Sequence, residues 1–212
     1  MLAALLEAAS PLLATAFTVW ASPVSWLEVV AFGLSLWMVW CNLRVDATGW
    51  PLAMISSLLY ALLFANSKLY GEATLQLFFI AIAAWGWHQW LRGGTAGIAP
   101  TAVRRMSPGS RLRVALVTLA AWPLVGLVLK NATDSDVPFM DALPAVGSVT
   151  GQILLGRKLV ENWAVWLVVN LLSVGLFAYK GLWLTVLLYA VFAVLSWVGW
   201  RAWQRRLADD AA

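Results

Sequence analysis

Glu161-Asn162-Trp163-Ala164-Val165-Trp166-Leu167-Val168-Val169-Asn170, residues 161–170, opens an apolar run long enough to cross a bilayer as a helix. Within it Trp163, Trp166 and Asn170 recur at i, i+3 and i+7, a spacing that places them on one face of a helix. Two indole rings and a carboxamide suit a flat aromatic ligand that carries hydroxyl groups. The same residues also suit an interfacial aromatic anchor and a polar helix-packing residue, and the stretch alone does not decide between the two.

The composition of the 212-residue chain is that of a membrane protein. Hydrophobic residues make up 62% of the chain and charged residues only 11%. The fifteen tryptophans fit a chain with many boundaries between membrane and water. The basic residues lie at the ends of apolar segments, so the net charge of +4 does not indicate nucleic-acid binding. Cys41 is the single cysteine and cannot form an internal disulfide.

The apolar segments predict an all-α, polytopic membrane protein with seven transmembrane helices. Residues 1–20 contain Pro11, and we expect an interfacial helix or a loose segment there rather than a full span. A long polar loop is predicted for residues 92–113 and a short charged tail for residues 204–212. The predicted spans are residues 26–43, 50–66, 75–91, 114–129, 141–159, 163–179 and 183–203.

The basic residues predict how these helices are oriented. With seven spans, all of the fourteen lysines and arginines except Lys68, Lys130 and Lys180 lie on one side of the membrane. The positive-inside rule then makes the C-terminus cytoplasmic and the N-terminus external. Adding or removing an internal span would mix the charges, so their distribution also supports the count of seven.

The two halves of the chain align without a gap when one is shifted by 113 residues. The chain is therefore predicted to contain a three-helix repeat in residues 26–91, a linker helix in residues 114–129 and a second three-helix repeat in residues 141–203. Because the linker helix returns the chain across the membrane, both repeats run in the same direction, the parallel arrangement of the SWEET sugar transporters. A passive scaffold is the alternative for such a repeated chain. The matches include Glu28 with Asp141, Ser35 with Ser148, Arg44 with Arg157, Trp50 with Trp163, Gly86-Trp87 with Gly199-Trp200, and Trp90 with Trp203.

The same alignment shows where the two halves differ. Transport folds of this kind place the substrate between the repeats near mid-membrane, and an asymmetric ligand there requires asymmetric surroundings. A symmetric scaffold needs no such difference. The residues equivalent to Trp163, Trp166 and Asn170 are Trp50, Ala53 and Ser57.

Three further polar side chains lie within apolar helices. Gln76 and Tyr189 occupy equivalent positions in the third helix of each repeat, and Gln152 lies near the middle of the fifth predicted span. A polar group in hydrocarbon needs a partner, so each should face a cavity or a neighbouring helix. The amide of Gln152 suits a ribose or a carboxamide, and hydrogen bonding between helices is the alternative for all three residues.

Several functional classes lack their chemistry in this sequence. No predicted helix centre carries Asp, Glu, Lys or Arg, the groups that transporters coupled to protons or ions usually need. The sequence has no G-x-x-x-x-G-K-[ST] loop for ATP, no H-E-x-x-H or G-x-S-x-G motif and no Cys/His metal set. We therefore predict no catalytic residue, no metal and no cofactor. Energy-independent diffusion of a substrate through a gated site is the function that remains.

A set of motifs in order across five helices resembles the PnuC family of vitamin transporters, over roughly residues 26–203. In the second half these are Met140-Asp141-Ala142, Ser148, Gln152, Arg157-Lys158, Glu161-Asn162-Trp163-x-x-Trp166-x-x-x-Asn170, Lys180-Gly181-Leu182 and Tyr189. In the first half they are Leu69-Tyr70-Gly71-Glu72-Ala73, Leu75-Gln76 and Gly86-Trp87-x-x-Trp90.

This resemblance implies a SWEET-like fold, a bacterial inner-membrane location and facilitated uptake of nicotinamide riboside, a form of vitamin B3. It also implies that a cytoplasmic kinase traps the substrate by phosphorylation, and it allows a homo-oligomer. The expected partners are thus a small-molecule substrate and membrane lipid. Thiamine, another vitamin or nucleoside, and a vitamin-binding subunit of an ATP-driven complex remain alternatives. The residues predicted to bind the substrate are Gln76, Gln152, Trp163, Trp166, Asn170 and Tyr189.

Overall fold

The computed structural model describes residues 2–19, 22–66, 70–92, 102–133, 137–179 and 183–209. These residues are almost entirely helical, which confirms the helical class predicted from the sequence. They form two compact units, Met1–Leu91 and Arg92–Ala212. The division between the units falls after the first predicted repeat and before the predicted linker helix.

The first unit contains three long helices preceded by a short helix and a hairpin. Its elements are α1 (Leu2–Leu13), β1 (Thr15–Val19), β2 (Ser22–Ser25), α2 (Trp26–Leu43), α3 (Gly49–Asn66) and α4 (Tyr70–Leu91). β1 and β2 pair as an antiparallel hairpin. The middle helix α3 packs against both α2 and α4, and α1 packs on α2 and α3.

The hairpin was not predicted. Residues 1–20 were expected to form a helix or a loose segment, whereas only the first part, Leu2–Leu13, is helical. The strands are rich in Thr, Ser and Val, residues that favour extended backbone over helix. Their low content of large apolar side chains hid them from an interpretation based on membrane spans.

Ser25 and Glu28 determine where α2 begins. The Ser25 hydroxyl oxygen accepts the Glu28 N–H at 3.2 Å, and the Glu28 carboxylate accepts the Ser25 N–H at 2.7 Å. This reciprocal capping box satisfies two backbone donors that the first turn of a helix leaves unpaired. The first membrane helix therefore begins at Trp26, as predicted.

The second unit contains four helices, each packed on the next. They are α5 (Pro108–Ala132), α6 (Pro138–Gly156), α7 (Asn162–Tyr179) and α8 (Trp183–Asp209). α6 packs against α5 and α7, and α8 packs against α7. Two backbone hydrogen bonds of Arg104 fasten the segment before α5 to the turn between α6 and α7. The Arg104 N–H donates to the Lys158 carbonyl and the Val160 N–H donates to the Arg104 carbonyl, each at 2.9 Å.

Several helices extend beyond the predicted spans. α4 begins at Tyr70 rather than residue 75, and α5 covers Pro108–Ala132 rather than residues 114–129. α8 continues to Asp209, through most of the segment predicted as a tail, whereas α6 ends at Gly156, before residue 159. The predicted spans covered only the apolar residues. A helix also extends through polar sequence as far as a capping residue or a proline, and Ser107 and Pro108 set this limit at the start of α5.

The apolar helices are suited to a bilayer. Large apolar side chains are exposed along them, such as Leu116 and Leu124 in α5 and Val168 in α7, as expected for surfaces that face lipid. The count of seven spans stays a prediction. By length and composition, four described helices could cross a membrane, Trp26–Leu43, Pro108–Ala132, Asn162–Tyr179 and Val186–Asp209, and Gly49–Leu63 is a shorter apolar helix.

Residues that lie 113 positions apart adopt the same backbone conformation at the first turn of each repeat. Arg44 and Arg157 end α2 and α6 with φ of −86° and −88°. The next residues, Val45 and Lys158, both have left-handed φ, at 58° and 54°. This conformation is uncommon for residues other than glycine and strained for a β-branched valine. Its occurrence at equivalent positions indicates that both turns are built in the same way.

In each unit a buried tryptophan packs between the last two helices of the triplet. Trp50 in α3 is 1% exposed and lies edge-to-face on Trp90 of α4, with ring centroids 5.5 Å apart. Trp163 in α7 is 3% exposed and lies in the same way on Trp203 of α8, at 5.6 Å. Each ring also covers a helical glycine. A Cβ added to Gly86 would lie under 3.0 Å from the Trp50 ring, and one added to Gly199 under 3.0 Å from the Trp163 ring.

We expect Gly86→Ala and Gly199→Ala each to lower the free energy of unfolding by about 1–3 kcal/mol, because the added methyl group overlaps a buried indole ring. The matched controls are Gly33→Ala and Gly175→Ala, also within helices, where an added Cβ meets nothing within 4 Å. These should be neutral or stabilising by up to about 1 kcal/mol. Thermal unfolding in detergent measures the difference. Equal stability of all four variants would show that the rings do not need the glycines.

Candidate functional site

Trp163, Asn170 and Tyr189, three of the residues predicted to bind substrate, lie in three layers of the α7–α8 interface. The layers are spaced by seven residues along each helix: Trp163 with Trp203, Asn170 with Ser196, and Phe177 with Tyr189. Seven-residue spacing is typical of helices that pack side by side with a small crossing angle. Asn170 and Tyr189, predicted from separate stretches of sequence, therefore belong to one interface.

The polar groups in this interface already have partners. Asn170 is 4% exposed, and its amide nitrogen donates to the Ser196 hydroxyl at 3.1 Å. Ser196 in turn donates to the Phe192 carbonyl at 2.8 Å. The Tyr189 ring stacks on Phe177, with centroids 5.2 Å apart and an interplanar angle of 26°. Asn170 and Tyr189 thus pack between α7 and α8, which agrees with the interpretation of these residues as helix-packing residues.

The equivalent layers of the first unit share only the tryptophan pair. Where the second unit has Asn170 and Ser196, the first has Ser57 and Ala83. The first unit has its own buried hydrogen bond between helices, at the α2–α3 interface, where the Ser35 and Ser56 hydroxyl oxygens are 2.9 Å apart. Among the described residues, both units therefore have buried side-chain hydrogen bonds between helices, but at different helix pairs.

Trp166 lies against α6. A Cβ added to Gly151 would be 2.9 Å from Cε2 of the Trp166 ring, and one added to Gly147 would be 2.5 Å from the Val169 side chain. The two glycines form a G-x-x-x-G face on which bulky α7 residues rest, a pattern that lets helices approach closely. Trp166 is half-buried in this position, so part of its ring remains accessible.

The first unit reverses this arrangement of small and large residues. The positions equivalent to Gly147 and Gly151 are the larger Leu34 and Met38 of α2, whereas those equivalent to Trp166 and Val169 are the smaller Ala53 and Ser56 of α3. The difference between Trp166 and Ala53 is therefore balanced within each helix pair. The G-x-x-x-G spacing was visible in the sequence and was not used in predicting the site.

Gln76 and Gln152 differ from the other predicted site residues. Both side chains are half-buried, and neither side-chain amide forms a hydrogen bond with any described residue. Gln152 follows Gly151, the residue under the Trp166 ring, so it lies beside that contact on α6. A carboxamide in an apolar helix that lacks a protein partner must be compensated by water or a ligand.

Trp163 has no open ring face in this structure. It is 3% exposed, with its ring on Gly199 and Trp203. Its indole N–H, like that of Trp50, is buried and has no hydrogen-bond partner among the described residues. The stacking on a ligand predicted for Trp163 stays a prediction, and it requires a conformation in which this packing opens.

The sequence analysis did not assign a role to Glu161. Its carboxylate accepts the Met106 N–H at 3.1 Å and pairs with the Arg111 guanidinium at 2.8 Å. Glu161 is 9% exposed, so these partners compensate a nearly buried charge. It holds the segment before α5 against the start of α7. Arg111 is fifty residues away in sequence, and no local pattern could have indicated this pairing.

Comparison with known proteins places this arrangement in a family. The family described as "Nicotinamide mononucleotide transporter" matches residues 25–205, which is most of the chain. The chain belongs to the nicotinamide mononucleotide transporter family. This confirms the resemblance to PnuC proteins predicted from the motifs, and it confirms that the protein is a membrane transporter and not an enzyme.

Relatives of this chain are named for different substrates. The chain is 26% identical over 205 residues to "Nicotinamide riboside transporter PnuC" of Escherichia coli (strain K12), covering 85% of each chain. It is 28% identical over 199 residues to "Riboflavin/roseoflavin transporter RibM" of Streptomyces davaonensis, covering 92% of each.

A solved structure shows the same fold. It is described as "Crystal structure of the Vitamin B3 transporter PnuC" and superposes with a TM-score of 0.71. The two sequences are 23% identical, and the match covers 87% of this chain and 83% of the other.

The contact between Trp166 and Gly151 can be tested with a pair of substitutions. We expect Gly151→Met alone to lower the free energy of unfolding by about 1–3 kcal/mol, because its side chain overlaps the Trp166 ring. Adding Trp166→Ala copies the Met38 and Ala53 residues of the first unit and should recover about 0.5–3 kcal/mol of coupling energy. Thermal unfolding of both single variants and the double variant measures this coupling. Strictly additive effects would show that the two residues do not share one space.

Proposed function

We propose that this protein carries nicotinamide riboside across the bacterial inner membrane by facilitated diffusion. Family membership supports this proposal, together with the alignment to a protein named as a nicotinamide riboside transporter over 85% of both chains. A cytoplasmic kinase then phosphorylates the riboside. Phosphorylation removes free riboside from the cytoplasm, so a carrier that only equilibrates the riboside gives net uptake. Assembly into a homo-oligomer stays a prediction.

Riboflavin or another vitamin is the second candidate substrate. The relative named as a riboflavin/roseoflavin transporter aligns over a larger share of both chains than the nicotinamide riboside transporter does. Riboflavin shares with nicotinamide riboside a flat aromatic ring and a hydroxyl-bearing group derived from ribose, so stacking and amide contacts suit both. Thiamine, the alternative drawn from the sequence, lacks the ribose-like hydroxyl groups.

The positions of the ionisable groups support uncoupled transport. Among helices α2 to α8, Asp, Glu, Lys and Arg lie towards the ends, such as Glu28 at the start of α2, Lys130 at the end of α5 and Asp141 at the start of α6. Side chains that bind or relay protons in membranes lie within the spans. The lack of acidic and basic side chains in the middle of α2 to α8 favours movement of the substrate down its own gradient.

We further propose roles for the residues of the site. Trp166 stacks its accessible ring surface on the substrate ring, and the amide of Gln152 binds its hydroxyl or carboxamide groups. The substrate contact predicted for Gln76 stays a prediction. Asn170 contributes the hydrogen-bonding capacity that its bond to Ser196 leaves unused. Trp163 and Tyr189 act chiefly by holding α8 against α7, in keeping with their contacts to Trp203 and Phe177.

The proposed orientation places the C-terminus and the segment before α5 in the cytoplasm, because the arginines concentrate there. Gly109 is exposed and has open space around it, so Gly109→Cys in a Cys41→Ala background should fold normally. In intact cells it should react with membrane-permeant thiol reagents only. Rapid labelling by an impermeant reagent from outside would reverse the orientation.

Transport by the purified protein tests the proposed function. Proteoliposomes loaded with unlabelled nicotinamide riboside should exchange it for external labelled riboside without ATP, and collapse of the proton or sodium gradient should leave the initial rate unchanged. Riboflavin and thiamine, used as competitors, rank the alternative substrates. A protein that binds a vitamin but exchanges none without an ATPase would be a binding subunit. A strict requirement for an ion would exclude facilitated diffusion.

Asn170 and Ser196 provide a matched pair for testing a ligand contact. Both Asn170→Leu and Ser196→Ala break their mutual hydrogen bond, but only Asn170→Leu removes the amide. If Asn170 binds substrate, Asn170→Leu should weaken binding by about 1–3 kcal/mol, roughly five- to 150-fold in Kd. Ser196→Ala should leave Kd nearly unchanged. Titration of the folded variants with the transported vitamin measures both values, and equal affinities would leave Asn170 as a packing residue only.

A further inference from the structure

A pocket of about 350 Å³ lies in the second unit, where α5 begins beside the turn between α6 and α7. Three arginines, Arg104, Arg105 and Arg157, line it together with the hydroxyl-bearing Ser107 and Ser110. The remainder of the lining is apolar and includes Val114 and Leu154, and no lining residue is acidic. This pocket is separate from the residues proposed above to bind the transported substrate.

The arginines are held in place through the backbone. Arg104 exchanges two backbone hydrogen bonds with the α6–α7 turn, and its guanidinium donates to the Arg157 carbonyl at 3.3 Å. The Arg105 guanidinium donates to the side chain of Gln204 in α8. These contacts hold the segment before α5 against the α6–α7 turn and bring three exposed positive charges together.

The positive charge in this region is not balanced by the protein. The nearby carboxylate of Glu161 is taken up by Arg111 and the Met106 N–H. None of Arg104, Arg105 and Arg157 forms an ion pair with a described carboxylate. Burial lowers the pKa of the Lys158 amine, and the neighbouring Arg104 charge lowers it further. Three guanidinium groups thus lie together without a described carboxylate to pair with.

From this geometry we propose that the pocket binds a phosphate-bearing anion through Arg104, Arg105 and Arg157, with Ser107 and Ser110 as additional donors. Guanidinium groups match phosphate oxygens in both charge and hydrogen-bond geometry. The first turn of α5 adds the positive end of a helix dipole on the same side. An anion would compensate all three arginines at once.

The surroundings favour the headgroup of an acidic phospholipid over a soluble phosphate ester. Val114 in the lining belongs to α5, whose large apolar side chains, beginning with Leu112 at 61% exposure and continuing with Leu116 and Val117, are open to lipid. A phosphate seated among the arginines could therefore extend acyl chains along α5. Basic pockets at a membrane surface bind lipid headgroups in this way.

The test uses the purified full-length protein in a neutral detergent and follows thermal stability during titration with three probes. Dihexanoyl phosphatidylglycerol supplies an acidic phospholipid, dihexanoyl phosphatidylcholine supplies the same chains with no net charge, and glycerol 3-phosphate supplies a soluble phosphate ester. We expect the phosphatidylglycerol probe to bind most tightly, with an affinity that falls as salt is added. Arg157→Gln should weaken it about fivefold, and Arg157→Lys should weaken it less.

Arg44→Gln is the matched control, because Arg44 is the repeat equivalent of Arg157 but lies over the Trp40 ring, at 4.6 Å, outside the pocket. It removes the same charge and should leave the affinity unchanged. Hydrogen exchange on the wild-type protein gives a readout that does not depend on how a variant folds, since phosphatidylglycerol should protect the amides of residues 104–110.

Each outcome decides the proposal. Stronger binding of glycerol 3-phosphate than of the lipid, with the same dependence on Arg157, would keep the phosphate site and assign it a soluble ligand. Equal weakening by Arg157→Gln and Arg44→Gln, or no protection of residues 104–110 by either anion, would overturn it. Vitamin exchange in proteoliposomes measures the transport function separately, so failure of one proposal is distinguishable from failure of the other.

Discussion

One contact sets the geometry of each helical triplet, an indole ring lying flat against a helical glycine. Trp50 rests on Gly86 and Trp163 on Gly199, and in both cases a second tryptophan meets the ring edge-to-face. In a bilayer the hydrophobic effect does not drive helices together, so close packing of large against small residues supplies much of the association. The seven-residue layers of the α7–α8 interface extend from this contact.

The interface between the first two helices of each triplet also combines large and small residues, but the helix that carries the large residues differs between the two units. α6 offers the glycines and α7 the bulky side chains, whereas the equivalent positions carry Leu34 and Met38 on α2 and the small Ala53 and Ser56 on α3. Total volume is kept while its distribution changes, which is how packed interiors tolerate substitution. Two repeats of common design can therefore diverge in shape without losing stability, and Trp166 with its half-buried ring is one product of that divergence.

The repeat could be inferred from sequence because its signature residues are the ones that form contacts. Tryptophans, glycines and the arginine that ends a helix recur at one offset, and each makes the same contact or turn in both units. The packing of Trp166 on Gly151 could not be inferred. The alignment of the two halves shows where a residue becomes larger, but it does not show which residue of the neighbouring helix is small to make room for it. The hairpin before α2 was missed because its short polar strands carry no apolar period.

For the candidate site, the sequence predicted which residues share a helix but not which residues they contact. The helical spacing of Trp163, Trp166 and Asn170 correctly placed them on one helix, but it could not show that the Trp163 ring is covered or that Asn170 bonds to Ser196, twenty-six residues away. A spacing of i, i+3 and i+7 covers a stripe wide enough for its members to face two different helices. Here Trp166 turns towards α6 and Trp163 towards α8.

Whether a side-chain amide already has a hydrogen-bond partner determines how much it can contribute to binding a ligand. The Asn170 amide already donates one hydrogen bond to Ser196, so a ligand can use only the capacity that this bond leaves. The Gln152 amide has no partner among the described residues, so all of its capacity is available to a ligand. A ligand bond there gains about 0.5–1.5 kcal/mol, roughly two- to tenfold in affinity. Substrate selectivity should therefore depend on Gln152 as well as on Asn170.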